Sequence, residues 1–82
     1  SDVYKRQYKD QRELDDLPGR MEMMQGQIDS LTSELSISNL FQRDRKRYDI
    51  VSLELEKNVK DLKLAERRWL ELEERKLELE NQ

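Results

Sequence analysis

The sequence contains no cysteine and no histidine, and among its 82 residues there is one proline and only two glycines. Without cysteine there is no disulfide, no thiolate nucleophile and no thiolate metal ligand. Without histidine the commonest general base and the commonest zinc ligand are missing too. No stretch approaches the roughly 20 consecutive apolar residues of a membrane span, and no charged-then-apolar leader opens the chain. A soluble, cytoplasmic chain with no membrane partner is the expectation. Gly19 and Gly26 stand alone, and neither precedes a Lys-Ser or Lys-Thr pair, so these residues contain no phosphate loop and no ATP site. With 34% apolar content a chain this short cannot enclose a large core, because small chains bury too little surface to offset their ordering entropy.

What the sequence does have is charge, at 43% of residues, and a repeat. Leu14, Leu17, Met21, Met24, Ile28, Leu31 and Leu35 follow one another at alternating spacings of three and four, which is a coiled-coil seam. A second seam runs through Tyr48, Val51, Leu55, Asn58, Leu62, Ala65, Trp69, Leu72 and Leu79, interrupted by Asn58 and Lys76. A disordered chain has no reason to keep such a repeat over two segments. Between the seams, Ser36, Ser38 and Asn39 break the pattern, while Ile37, Leu40 and Phe41 could cover the end of a two-helix stack. Asp44 is a suitable N-cap for a second helix.

The expected fold is therefore all-α: an intramolecular antiparallel two-helix coiled-coil hairpin. Its helices span about residues 8–35 and 45–80, and its tip is about 36–44. Pro18 removes the amide that would bond the carbonyl of Leu14, at a cost of about 3 kcal/mol in a helix interior, so the first helix should kink or briefly break there. Residues 1–7 are set apart as a frayed or non-native lead-in, since Asp2 to Gln7 read like a translated sequencing-library adapter, the transposase mosaic end.

Two registers one heptad apart compete. In the first, Leu17 meets Trp69, Leu14 meets Leu72, Leu35 meets Val51, and Ile28 faces Asn58. In the second, Leu17 meets Leu62 and Trp69 faces Asp10, while the flanks pair Glu34 with Arg47, Arg20 with Asp61 and Glu13 with Arg68. Exposed ion pairs contribute roughly 0.2 to 1 kcal/mol, and a buried Leu or Trp about 1.5 to 3, so the apolar layers of the first register are preferred. Trp69 on the seam reads as core, Tyr8 as an edge cover, and Met21 and Met24 as deformable filler near Pro18.

Net charge is −3, but it is unevenly spread. Residues 43–68 carry nine Lys or Arg against six Asp or Glu, and residues 69–82 carry two against five. Lys57, Lys60, Lys63 and Arg67 form an outward stripe with Arg68 beside it; Arg43, Arg45, Lys46 and Arg47 cluster at the tip. Phosphates could ladder along such cations. The plainer reading is solubilising charge interleaved with Glu54, Glu56, Asp61 and Glu66. The carboxylates Glu71, Glu73, Glu74, Glu78 and Glu80 lie on a helix without a cleft and read as solvated surface; no acidic loop is built to wrap calcium. No catalytic residue, metal site or cofactor site is assigned.

The run from Tyr8 through Gln11-Arg12-Glu13-Leu14 to Pro18, the repeat from Met21 to Leu35, and the run Arg67-Arg68-Trp69-Leu70-Glu71-Leu72-Glu73-Glu74 together resemble the C-terminal coiled-coil domain of bacterial ABC-F ATPases of the Uup type. The likeness covers nearly all of the chain after Gln7 and departs at the tip, where relatives often carry Asp-Pro turns. It implies a soluble parent with two ATP-binding cassettes, which would hold ATP and magnesium, followed by this non-catalytic appendage. It also implies association with DNA for the Uup-type hairpin and with the ribosome for the wider family.

The combined expectation is a non-enzymatic domain that contacts DNA or ribosomal RNA through backbone phosphates. Its candidate contacts are Arg43, Arg45, Lys46, Arg47, Lys57, Lys60, Lys63, Arg67 and Arg68. The alternative is a protein-interaction coiled coil, as a homodimer or a brace against the parent's cassettes, suggested by the off-seam Leu53, Leu64, Leu70 and Leu77. A homo-oligomer is the less favoured of these partners.

Overall fold

A computed structural model describes all 82 residues, from Ser1 to Gln82. Three helices follow one another: α1 (Asp2–Leu35), the single-turn α2 (Leu40–Arg43) and α3 (Arg45–Glu80). The two long helices lie side by side in one rod of 59 × 20 × 15 Å, its length close to the roughly 54 Å expected of 36 helical residues at 1.5 Å each. This is the all-helical hairpin the two seams call for.

Both seams face inward. Leu14, Leu17, Ala65 and Leu72 form one buried cluster, with Met21, Met24 and Trp69 packed against it. Val51 is the fifth buried residue and the only one toward the tip. Each fully covered leucine contributes about 1.5 to 3 kcal/mol, so much of the rod's apolar stabilisation is lodged at the end away from the tip. Trp69 is half-buried, as a seam residue should be. Tyr8 does not cover the seam: it is largely exposed, with the Arg12 guanidinium 5.9 Å from its ring centre.

Two features of α1 differ from expectation. The helix begins at Asp2, not near residue 8, since nothing in Asp2 to Gln7 opposes helix formation. It also runs uninterrupted through Pro18, which is exposed, so the brief break does not occur. The ring points away from the packed face and leaves the seam contacts of Leu14 and Leu17 in place.

The flanking ion pairs Glu34 with Arg47 and Glu13 with Arg68 are those of the second alternative, while the buried cluster joins Leu14 and Leu72 as the first one expects. Arg47 clasps Glu34 with bonds of 2.6 and 2.8 Å, and Arg68 clasps Glu13 with bonds of 2.6 and 3.0 Å. Stepping back 21 residues along α1 matches stepping forward 21 along α3, so both clasps belong to one alignment, three heptads apart. At the open end Gln7, Asp10, Leu14, Leu72, Arg75 and Leu79 line one shallow depression, the neighbourhood in which the first alternative places Leu14 and Leu72. Trp69 packs against the cluster that contains Leu17, and Asp10 meets Arg75. The Asn58 amide donates within its own helix to the Glu54 carbonyl at 2.9 Å.

Sliding by one heptad exchanges most apolar layers for other apolar layers, so their difference nearly cancels, whereas every flanking charge changes partner. The connection adds a second constraint. Nine residues, 36–44, join the end of α1 at Leu35 to the start of α3 at Arg45.

The tip is tightly bonded. Ser36 ends α1 with its hydroxyl donating to the Ser33 carbonyl at 2.7 Å. Asn39 takes φ 65°, the left-handed conformation that reverses the chain before α2. The Asp44 carboxylate accepts the Arg47 amide at 3.0 Å, capping α3 as the sequence suggests.

Candidate nucleic-acid interface

At 100° per residue, Lys46, Lys57, Lys60, Lys63 and Arg67 fall within about 120° of one another on α3, on the side opposite the seam. The helix is amphipathic in two senses: leucines inward, cations outward. Their availability differs sharply. Lys57 pairs with Asp61 at 2.7 Å, Lys60 with Glu56 at 3.3 Å and Arg45 with Asp49 at 3.0 Å. These are contacts within one helix, each four residues apart, and they are open to solvent.

Arg47 and Arg68 are committed differently, as the register clasps themselves. Arg68 also lies 3.2 Å from Glu71, which turns to Arg75 at 2.9 Å, and Arg75 reaches Asp10 at 3.3 Å. The hydrogen bonds from Arg68 hold the Glu13 carboxyl below its usual range, and those from Arg47 do the same for Glu34. In return each guanidinium becomes harder to deprotonate.

Arg43, Lys46, Lys63 and Arg67 have no acidic partner within 4 Å and are exposed. Of the nine candidate side chains, these four carry charge with no acidic partner in the folded rod. Two of them sit at the tip and two at mid-rod. The sequence alone does not separate them from the paired five, because each pairing depends on which rotamer and which neighbouring helix the acid meets.

The tip holds a feature the sequence reading missed. Phe41 packs edge-on against Tyr48, ring centres 5.1 Å apart at 90°, and the Arg45 guanidinium lies over the Phe41 ring at 4.2 Å. The signal was the four-residue step from Phe41 to Arg45 and the three-residue step to Tyr48. Ile37 and Phe41 do not cover the helix ends as supposed: they are 49% and 43% exposed, and only Leu40 of the three is half-buried. Leu53, Leu64, Leu70 and Leu77 are likewise exposed on the outer side of α3.

No three acidic side chains converge on a point that could hold a metal ion, and no helix is long and apolar enough to cross a membrane. Among known families, the one described as "ABC transporter C-terminal domain" matches residues 5–74. No curated protein and no solved structure gave a match.

Proposed function

The chain belongs to the ABC transporter C-terminal domain family, and from that premise we propose that it is a non-catalytic accessory domain that binds nucleic acid. It holds DNA or ribosomal RNA by backbone phosphates, with little sequence preference, and thereby places an attached ATPase on its target. The parent's cassettes, with their ATP and magnesium, lie outside these residues, and the setting is the cytoplasm. The first helix of the rod bends locally at Pro18, where one backbone bond is missing.

The observation that supports this reading most directly is the set of four unpaired, exposed cations, Arg43, Lys46, Lys63 and Arg67, distributed over the tip and the outer side of one straight helix. A duplex presents phosphates in a periodic row, and a rod with cations on one side can lie along it. The paired lysines Lys57 and Lys60 can join, because exchanging a solvent-exposed carboxylate for a phosphate loses little.

Fluorescence anisotropy with labelled duplex DNA at several salt concentrations tests the proposal. With four phosphates neutralised, log affinity falls against log salt with a slope on the order of −3 to −4. Lys63→Glu with Arg67→Glu weakens binding and flattens that slope. Binding that ignores both salt and charge reversal removes the reading.

A second reading has its own support in Leu53, Leu64, Leu70 and Leu77, each more than half exposed on α3. Apolar surface of this kind suits a protein partner, either a second hairpin or the parent's cassettes. Sedimentation at rising concentration separates the two: a monomer that shifts DNA fits the first, and a dimer indifferent to DNA fits the second.

A further inference from the structure

We infer that the tip carries a distinct site for unstacked bases of single-stranded nucleic acid, built from the Arg45 guanidinium backed by Phe41 and flanked by Arg43 and Lys46. The inference rests on the nucleic-acid reading above and deepens it by naming the class of strand and the residues that select it.

Phe41, at the turn of the hairpin, keeps 43% of its surface in solvent, an unusual placement for a ring that could have folded over the helix ends. It is held there: Tyr48 braces it edge-on, and Arg45 lies over its face at 4.2 Å. The Asp49 carboxylate accepts from Arg45 Nε at 3.0 Å and so fixes the guanidinium's place over the ring. The result is a cationic platform over the ring, its side chain 62% exposed. A guanidinium plane and an aromatic ring are the two surfaces on which proteins stack bases.

The charge around the platform selects a polyanion. Residues 36–50 carry Arg43, Arg45, Lys46 and Arg47 against Asp44 and Asp49, and Arg43 and Lys46 are unpaired. Ile37, 49% exposed, adds an apolar side chain of the kind that wedges beside an unstacked base. The mid-rod stripe has cations but no aromatic residue among Lys57, Lys60, Lys63 and Arg67, so it can follow phosphates without reading whether bases are stacked. A duplex hides its base faces from the platform; a single strand or a frayed end offers them.

Arg45→Lys is the decisive variant, because it keeps the charge and removes the plane. Phe41→Leu is its companion, keeping an apolar group against Tyr48 and removing the ring. Both are measured by anisotropy against fluorescein-labelled oligothymidylate and against a duplex of equal length, with helicity checked by circular dichroism. Each variant is expected to lose about 5- to 100-fold in affinity for the single strand while duplex affinity stays within about two-fold. Lys63→Glu with Arg67→Glu is expected to weaken both.

Unchanged single-strand binding in both variants, with duplex binding intact, overturns the tip site and leaves the phosphate reading standing. No binding of either probe by the unaltered chain overturns both. If Phe41→Leu instead dissolves a concentration-dependent dimer, or abolishes binding to phosphatidylserine vesicles, with no effect on the oligonucleotide, the patch serves a second copy or a lipid surface and the inference fails.

Discussion

The open end and the tip of this rod put their side chains to opposite uses. At the open end Leu14, Leu17, Ala65 and Leu72 are buried together, and Arg68 and Arg75 tie α3 to Glu13 and Asp10 on α1. Toward the tip only Val51 is buried, while Ile37 and Phe41 face solvent and the cations Arg43 and Lys46 go unpaired. One end thus holds the fold and the other presents the unsatisfied chemistry. The separation means that surface residues at the tip can be altered without unfolding the molecule, which is what makes its proposed roles testable.

The sharpest way to break the comparison is to empty the open end. Leu17→Ala or Leu72→Ala removes side chains that are 2% and 1% exposed and should cost about 2 to 5 kcal/mol. For a rod this thin, that leaves much of the population unfolded. Ile37→Ala at the tip should stay within about 0.5 kcal/mol of the unaltered chain. Urea denaturation followed by circular dichroism measures all three, and equal losses at the two ends would erase the distinction. Pro18→Ala acts in the other direction, since it restores a donor toward the Leu14 carbonyl within α1 and should stabilise by up to about 3 kcal/mol.

The clasps that set the register are open to a charge-swap test. Arg68→Glu should destabilise by placing two carboxylates opposite one another, and combining it with Glu13→Arg should recover most of the loss. Because the chain lacks cysteine, an introduced pair reports alignment directly. Leu14→Cys with Leu72→Cys, neighbours in one buried cluster, should oxidise readily, and Leu14→Cys with Leu55→Cys should not; the reverse would sink this alignment of the seams. Acidification sharpens the same point. Glu13 and Glu34 have folded-state values below the usual 4.5, so their contribution is present above that value and is lost as pH falls through the lower, folded one. Stability should therefore drop below about pH 4.5, and Glu13→Gln with Glu34→Gln should flatten the drop.

Much of this rod was legible in the sequence because its signals are local or periodic. The alternation from Leu14 to Leu35 and from Tyr48 to Leu72 marks which sides meet, and Ser36 and Asp44 bound the tip by the chemistry of their own side chains. Register was not legible from the stripes, since a heptad repeat is nearly indifferent to a slip by its own period. The flanking pairs Glu34 with Arg47 and Glu13 with Arg68 and the layer of Leu14 with Leu72 were each readable, but as parts of rival alignments that the rod combines. At the interface, positions on the outer side followed from helical geometry, but which cations stay unpaired did not. Lys57 and Lys63 look equivalent in sequence, yet one meets Asp61 and the other meets no acid. The exposure of Phe41 was missed because an apolar residue at a turn was assumed to fold inward.

The smallest effect concerns the reversal itself. Asn39 is the one residue other than glycine with positive φ, at 65°, and it stands where the chain turns from α1 into α2. Asparagine tolerates this conformation better than most residues, but glycine has no side chain to strain there. Two effects then oppose each other in Asn39→Gly: relief of residual strain in the fold, and a freer unfolded chain. The net change should be within about 0.5 kcal/mol, whereas Asn39→Val, with a branched side chain at positive φ, should cost about 1 to 2. If the valine variant is as stable as the unaltered chain, the tip does not depend on this turn, and the platform of Phe41 and Arg45 is not held in place by it.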